Sequence, residues 1–202
     1  MNSQAPTVFV VDDDEDVRRS LQRLLKSAGL AVRVFASAQE LIEQAVKGPG
    51  CLILDVKMPK ISGLDLQANL DALGIDMPIV FLTGHGDVPT SVRAMKGGAV
   101  DFLTKPFRSR DLLAAVHAAL EKDAQARQTA AETASIKERA ASLTGRELEV
   151  FRMVVTGAPN KLIASQLGIS ERTVKVHRAR VMQKMRVVSV AELTRLAERG
   201  AF

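Results

Sequence analysis

The chain has 202 residues, 47% of them hydrophobic and 25% charged, a composition typical of a globular protein with one large domain or two small ones. Its apolar runs fall short of the ~20 residues that span a bilayer, and Met1 to Thr7 lacks the regions of a signal peptide. The single cysteine, Cys51, has no second cysteine for an internal disulfide, which fits a reducing compartment. We therefore expect a cytoplasmic protein that does not contact a membrane.

The net charge of +5 is unevenly distributed along the chain. Residues 1–121 carry 13 Lys and Arg against 15 Asp and Glu, whereas residues 122–202 carry 15 against 8, which gives net charges of −2 and +7. This asymmetry indicates a neutral or acidic module joined to one that meets a polyanion. The alternative is that the basic surface is only a solvated face.

Strand-like and helix-like segments alternate through the first 121 residues. The predicted strands are 7–11, 31–35, 51–54, 78–82 and 100–103. The predicted helices are 21–28, 37–47, 64–73, 88–96 and 111–120. Five strands that alternate with five helices predict a parallel sheet covered on both faces. The strand order 2-1-3-4-5 would place strands one and three side by side.

The third strand ends in a carboxylate, Asp55. The run from Cys51 to Leu54 is continuously apolar, as expected for a parallel strand buried on both faces. Ligands and chemistry collect at the carboxyl ends of such strands. We therefore interpret Asp55 as a nucleophile that accepts a phosphoryl group; the alternative is an aspartate that only caps a loop.

Other polar side chains follow the ends of the other strands. Asp12 and Asp13 come after strand one, Thr83 after strand four and Lys105 after strand five. Crowded carboxylates repel each other unless a proton or cation bridges them, and an all-oxygen site suits Mg²⁺. Lys105 would neutralise phosphoryl charge and the Thr83 hydroxyl would donate to a phosphoryl oxygen. The alternative role of acids after strand one is to complement a helix N-terminus.

These motifs resemble the receiver domain of bacterial two-component response regulators over residues 5–122. The residues that carry the resemblance are Asp12-Asp13, Asp55-Val-Lys-Met-Pro59, Thr83-Gly84 and Asp101-Phe-Leu-Thr-Lys105-Pro106. Thr83 to Pro89 is similar to the FixJ-type branch, whereas Lys60 departs from the glycine that often follows Met-Pro in the family.

The resemblance implies a flavodoxin-like fold and a defined set of site residues. It implies that Asp55 takes a phosphoryl group from a phosphohistidine of a sensor histidine kinase, and that the Lys105-Pro106 bond is cis. Asp13, Asp55 and the Lys57 carbonyl would hold Mg²⁺, with Asp12 acting nearby. Thr83 and Phe102 would act as the switch pair.

Residues 122–141 have no Gly or Pro and are rich in alanine and charged residues, which are good helix formers. We expect a helical, solvated linker, with a loose tether as the alternative.

Four helices are predicted in the module 142–202. Their ranges are 146–155, 160–167, 171–185 and 190–197. The second and third flank the tight turn Gly168-Ile169-Ser170, which is the helix-turn-helix pattern. We therefore expect an all-α, four-helix helix-turn-helix domain.

The third of these helices has two distinct faces at about 100° per residue. Val174, Val181 and Met185 form the predicted core face. The opposite face carries no acid and consists of Arg172, Lys175, Val176, Ala179, Arg180, Gln183 and Arg186. Cations suit DNA phosphates, and small apolar side chains suit thymine methyls in the major groove.

This module resembles the LuxR-type helix-turn-helix, on Leu143-Thr-Gly-Arg-Glu147, Asn160-Lys161 and Ser170 to His177. The resemblance assigns base contacts to Lys175 and Val176. A further basic contact of the family falls on Ala179, so that Arg180 or Arg178 would substitute. The predicted DNA-binding residues are Lys161, Arg172, Thr173, Lys175, Val176, Ala179 and Arg180.

Taken together, the sequence predicts a FixJ-like transcriptional response regulator with a receiver at 1–121, a linker at 122–141 and a DNA-binding domain at 142–202. Its expected partners are a sensor histidine kinase, double-stranded DNA half-sites, a second copy of the chain on phosphorylation, and RNA polymerase. One alternative is a constitutive DNA-binding regulator with a vestigial receiver. The other, an aspartyl phosphatase, is disfavoured because Lys57 stands where such enzymes carry a second acid.

Overall fold

The computed structural model describes residues 5–84 and 88–200. His85, Gly86 and Asp87 of the FixJ-type motif lie outside the described residues. The chain divides into two compact units, Met1–Arg127 and Gln128–Phe202. No helix in the described part is both long and apolar enough to cross a membrane.

The first unit is built on a five-stranded parallel sheet. Its strands are β1 (Thr7–Val11), β2 (Ala31–Phe35), β3 (Gly50–Asp55), β4 (Ile79–Thr83) and β5 (Asp101–Thr104). The observed order is β2-β1-β3-β4-β5, which confirms the predicted flavodoxin-like arrangement. Strands β1 and β3 pair directly, with Val11 opposite Leu54, and β4 pairs with β5 through Thr83 and Thr104.

Among the described residues, five helices belong wholly or partly to this unit. They are α1 (Glu15–Ser27), α2 (Ala38–Glu43), α3 (Gly63–Asn69), α4 (Val88–Lys96) and α5 (Ser109–Ala141). Side chains of Asp14, Ser37 and Ser62 cap the starts of α1, α2 and α3. Helix α2 ends earlier than predicted, because Ala45 has a φ of 41° that no helix accommodates.

The sheet separates two hydrophobic cores. On one face Phe9, Leu52 and Phe81 pack with the residues of α2 and α3. On the other face Val10 and Ile53 pack with α1 and α5. Successive strand residues point to opposite faces, so both sides of β1 and β3 are buried. The rigid carboxyl ends of these strands therefore form a fixed edge on which a site can be built.

Helix α5 is continuous from Ser109 to Ala141 and contributes residues to both units. Asp123 and Arg127 bond to the first unit, whereas Ile136 and Ala140 lie in the core of the second. Residues 122–141 are therefore helical. The boundaries 1–121, 122–141 and 142–202 stay a prediction.

In its described part, residues 128–200, the second unit consists of the end of α5 and four further helices. They are α6 (Gly145–Val155), α7 (Asn160–Leu167), α8 (Glu171–Met185) and α9 (Val190–Gly200). Gly168 takes a left-handed conformation with a φ of 64° and ends α7, and the Ser170 side chain caps α8. The helix-turn-helix arrangement of α7 and α8 follows from this turn.

Candidate functional sites

Asp55 lies at the carboxyl end of β3 with only 6% of its surface exposed. Its Oδ2 accepts a hydrogen bond from the Lys57 backbone N–H at 2.8 Å, and its Oδ1 accepts one from Lys105 Nζ at 3.0 Å. Gly63 packs tightly beneath this loop, because a Cβ there would lie 2.2 Å from the Asp55 carbonyl oxygen. The loop that holds Asp55 thus depends on a glycine.

Lys105 joins two carboxylates. Its Nζ donates to Asp12 Oδ2 at 2.6 Å as well as to Asp55 Oδ1. The Lys105 backbone N–H donates to the Thr83 carbonyl oxygen at 2.6 Å, and the Lys105-Pro106 peptide bond is cis. The Lys105 ammonium group, directly after β5, is therefore held between the carboxylates of Asp12, after β1, and Asp55, at the end of β3.

Burial and hydrogen bonding act in opposite directions on the pKa values of Asp55 and Lys105. Burial raises the pKa of the Asp55 carboxyl above its usual value, although the hydrogen bond from Lys105 works to lower it. Burial works to lower the pKa of the Lys105 ammonium, but its hydrogen bonds to Asp12 and Asp55 outweigh this and the pKa is raised. The site is thus a desolvated carboxylate whose charge a lysine compensates.

The two acids that follow β1 differ in environment. Asp12 is 1% exposed and its Oδ1 accepts from the Asp14 backbone N–H at 3.0 Å, whereas Asp13 is exposed. Within residues 5–84 and 88–200, no three His, Cys, Asp or Glu side chains are grouped to hold a metal ion. Lys105, between Asp12 and Asp55, already supplies a positive charge. The oxygen-only donor chemistry of this edge nevertheless fits Mg²⁺.

The residues of the predicted switch pair occupy neighbouring strands. Thr83 is buried at the end of β4. Phe102 is half-buried on β5, with its ring centroid 6.3 Å from that of Phe81.

Lys60, where the family often has glycine, does adopt a left-handed φ of 69°, so a side chain is held in a conformation that glycine takes without strain.

The predicted core face of α8 is buried and its opposite face is exposed. Val174, Val181 and Met185 lie in the core of the second unit. Val176, which belongs to this opposite face, is 46% exposed. The other exposed residues of the predicted DNA-binding set are Lys161, Arg172, Lys175, Ala179 and Arg180.

Three residues near this face take other roles. Thr173 is half-buried, and its backbone N–H and hydroxyl both bond the Ser170 hydroxyl that caps α8. Arg178 donates to Asn160 Oδ1 at 2.9 Å, on α7. Arg186 lies beyond the end of α8, with a left-handed φ of 56°.

Sequence reasoning missed a buried acid on α5. Asp123 Oδ2 accepts from the Gly50 backbone N–H at 2.9 Å, at the start of the strand that ends in Asp55. Arg127 Nε donates to the same carboxylate at 2.8 Å. The only local signal is an Asp and an Arg spaced four apart on a helix, a pattern that is common on solvated surfaces.

It also missed the pairing of Glu147 with Lys184. Glu147 is buried, and its Oε2 accepts from Lys184 Nζ at 2.6 Å and from the Thr144 backbone N–H at 2.8 Å. The hydrogen bond from Lys184 is the main reason that the pKa of Glu147 is lowered to about 2. The capping-box spacing of Thr144 and Glu147 is visible in sequence, but the lysine partner is not.

Two family models match the chain. The response regulator receiver domain matches residues 8–117, and the luxR family of bacterial regulatory proteins matches residues 141–197.

Several curated proteins are similar over nearly the whole chain. Nodulation protein W of Bradyrhizobium diazoefficiens is 50% identical over 192 residues, which cover 95% of this chain and 85% of that protein. Response regulator protein TodT of Pseudomonas putida is 46% identical, with 98% and 88% covered. Transcriptional regulatory protein FixJ of Rhizobium meliloti is 44% identical, with 97% of each covered.

Two solved structures are also similar over nearly the whole chain. The response regulator StyR is 47% identical with a TM-score of 0.86, over 97% of this chain and 100% of that one. FixJ from B. japonicum is 43% identical with a TM-score of 0.60, over 97% of each chain.

Proposed function

The chain belongs to the response regulator family as a FixJ-like transcriptional regulator with a receiver and a LuxR-type DNA-binding domain, and we propose that Asp55 is its phosphoacceptor. Phosphorylation-dependent two-component regulation is the norm in this family, and its receiver and LuxR-type domains imply a kinase partner and DNA binding. The observation that carries the proposal is the Lys105 ammonium, which lies 2.6 Å from Asp12 Oδ2 and 3.0 Å from Asp55 Oδ1 at one sheet edge.

In the proposed reaction, an Asp55 carboxylate oxygen attacks the phosphorus of a phosphohistidine on a sensor histidine kinase. The new O–P bond forms while the P–N bond breaks, and the imidazole leaves with the electron pair and takes up a proton. Catalysis of such a transfer is largely positioning and charge compensation. Lys105 supplies a cation beside the nucleophile, and the Lys57 backbone N–H orients it.

For the metal, receiver domains generally bind Mg²⁺ at an acidic pocket. We assign Asp13, Asp55 and the Lys57 carbonyl as its ligands, with Asp12 beside them. A bound Mg²⁺ would neutralise charge on the phosphoryl oxygens. The exposure of Asp13 leaves its carboxylate accessible to a hydrated ion, while Asp12 stays anchored by the Asp14 N–H and Lys105.

The phosphorylated state is proposed to act through Thr83 and Phe102. The Thr83 hydroxyl donates to a phosphoryl oxygen, and the Phe102 ring follows into the space that Thr83 vacates. Since Phe102 lies on β5 against Phe81, this changes the surface formed by α4, β5 and the start of α5. That surface pairs with a second copy of the chain.

Paired DNA-binding domains then read two half-sites. Lys161, Arg172, Lys175 and Arg180 supply phosphate and base contacts, and Val176 and Ala179 contact thymine methyls. Thr173 contributes at the start of α8, where its hydroxyl lies beside Ser170. RNA polymerase is the proposed partner of the DNA-bound dimer.

Phosphorylation of the full-length chain tests the assignment of Asp55. We expect incubation with Mg²⁺ and acetyl phosphate to add one phosphoryl group, measured by intact mass spectrometry, and a chelator to prevent the addition. Asp55→Asn should gain none, because an amide cannot attack phosphorus as a carboxylate does. Asp71→Asn, which removes an exposed acid elsewhere on the same unit, is the matched control and should behave as the unaltered chain.

A phosphoryl group that still appears on Asp55→Asn would refute the assignment. An unaltered chain that accepts none from acetyl phosphate or phosphoramidate would instead indicate a vestigial receiver.

A further inference from the structure

At the C-terminal ends of α5 and α8, a basic side chain of each helix donates a hydrogen bond to the end of the other helix. Arg139 of α5 donates from Nη1 to the carbonyl oxygen of Met185, the last residue of α8, at 2.7 Å. In return, Lys184 of α8 donates from Nζ to the carbonyl oxygen of Ser142, directly after α5, at 3.0 Å. Each helix end is thus capped by a cation that the other helix carries.

These two hydrogen bonds supply donors to carbonyl groups at the helix ends. The last carbonyl groups of a helix lack intrahelical partners and carry the negative end of its dipole, so that a cation there is stabilising. Arg139 is half-buried, and its Nε also donates to the Ser135 carbonyl oxygen at 3.2 Å. The guanidinium is therefore held at two points and cannot swing freely into solvent.

Packing joins the same two helices. Ile136 and Ala140 of α5 lie in one hydrophobic core with Val181 and Met185 of α8. Ile136 is 2% exposed, although its neighbours in sequence are mostly exposed. The last turns of α5 therefore lie in the same core as the inner face of α8, the face opposite to Val176 and Lys175.

We propose that Arg139 is a positioning residue for DNA recognition, a role that rests on the proposed use of the exposed face of α8. It holds the C-terminal end of α8 through the Met185 carbonyl and does not itself touch DNA. Loss of this bond leaves the charged face intact but frees the end of the helix that carries it. The affinity for a particular DNA sequence then falls more than the affinity for DNA of any sequence.

The test compares Arg139→Ala with the unaltered full-length chain on two duplexes, after both proteins have been phosphorylated with Mg²⁺ and acetyl phosphate. One duplex is selected by the unaltered chain from a random-sequence pool, and the other is a scrambled duplex of the same length. We expect Arg139→Ala to lose about tenfold of its affinity for the selected duplex relative to the scrambled one. Its salt dependence on the scrambled duplex should not change, because no phosphate contact is lost.

A second readout reports on the helix end itself. The Arg186 and Val187 N–H groups close the last turn of α8 onto Gln183 and Met182, and hydrogen exchange at these amides should become faster in Arg139→Ala. Lys137→Ala removes an exposed cation two residues away on α5 and is the matched control. It should leave both the discrimination and the exchange rates as they are.

Arg139→Lys retains a cation at the end of α8 and should recover most of the discrimination. If Arg139→Ala does not fold, the same measurements on Arg139→Lys and Arg139→Gln test the proposal. We expect Arg139→Gln, which lacks the charge, to lose more of its discrimination between the two duplexes than Arg139→Lys. A salt slope that falls by about one unit in Arg139→Ala would make Arg139 a phosphate contact and overturn the proposal.

Equal loss on both duplexes, or unchanged affinity and exchange, would overturn it as well. A phosphorylated unaltered chain that selects no duplex would refute the proposed DNA-binding face itself, which separates that failure from the failure of Arg139 alone.

Discussion

At the scale of single residues, two arginines of α8 differ in what they can reach. Arg180 is exposed, whereas Arg178 is half-buried and donates to Asn160 Oδ1 on α7 at 2.9 Å. Two positions along a helix correspond to a rotation of about 200°, so the two side chains leave α8 on nearly opposite sides. Of the two candidates for the basic contact missing at Ala179, we therefore expect Arg180 to contact a phosphate.

This difference predicts different salt dependences for the two alanine variants. Arg180→Ala should reduce the slope of log K against log salt concentration by about 0.9, the value for one phosphate contact, whereas Arg178→Ala should leave the slope unchanged. Fluorescence anisotropy titrations on a labelled duplex at several salt concentrations measure both slopes. A reduced slope for Arg178→Ala would show that its bond to Asn160 yields to DNA.

At the scale of single elements, the start of α6 depends on one acid with two functions. Glu147 accepts from the Thr144 N–H in the capping box and from Lys184 Nζ of α8. Its pKa falls from 4.5 to about 2, mainly through the Lys184 hydrogen bond. A carboxyl whose pKa is lower in the folded state binds fewer protons there than in the unfolded state. Its stabilising contribution is therefore present above about pH 4.5 and is lost as the pH falls towards 2.

Replacement of this acid by an amide should remove the pH dependence. Glu147→Gln keeps an acceptor for the Thr144 N–H but loses the charge, and we expect it to lower the free energy of opening of α6 by about 1.5 kcal/mol at neutral pH. The difference from the unaltered chain should shrink as the pH falls from 4.5 to 2. Amide hydrogen exchange of α6 measures it, since the sequence has no Trp or Tyr to report by fluorescence.

Glu149→Gln is the control for this measurement. Glu149 pairs with Arg146 on the exposed surface of the same helix, at 2.7 Å, and such a pair contributes less than about 1 kcal/mol. A Glu147→Gln variant with the same small effect at every pH would contradict the assignment.

At the scale of the whole molecule, helix α4 presents an apolar surface to solvent. Val88, Val92 and Met95 are 75%, 44% and 46% exposed on this short helix. Exposed apolar side chains that cluster in this way mark interaction sites more often than isolated ones. They lie on the surface that the proposed movement of Phe102 would change.

We therefore predict that phosphorylation converts a monomer into a dimer. Light scattering of the full-length chain with Mg²⁺ should show the mass double when acetyl phosphate or a beryllofluoride mimic is added. The bonds to the phosphoryl group must supply about 5.5 kcal/mol to shift the equilibrium between the inactive and the active conformation from 99:1 to 1:99.

Val92→Glu should block the increase through like-charge repulsion across the pair, while phosphorylation itself continues. A mass that does not change on phosphorylation would count against the switch and favour constitutive DNA binding.

Much of the fold was predictable because its determinants are local. Parallel strands buried on both faces appear as apolar runs such as 51–54, and the amphipathic period of α8 separates Val174 from Lys175. Asp55 ends such a run and Lys105 comes directly after β5, so the sequence placed both at strand ends and predicted them for the candidate site. The strand order then brings the carboxyl ends of β1, β3 and β5 to one edge.

By itself, the sequence predicted the number and order of the strands, the sheet order and the polar residues that follow the strand ends. Only the tertiary structure decided that Lys105 bonds both Asp12 and Asp55, that Asp123 is buried against Gly50, and that Arg139 caps α8. The physical reason is sequence separation. A hydrogen bond between residues 46 or 73 positions apart leaves no periodic trace in either segment, since an acid or a base looks the same whether solvent or a distant partner satisfies it.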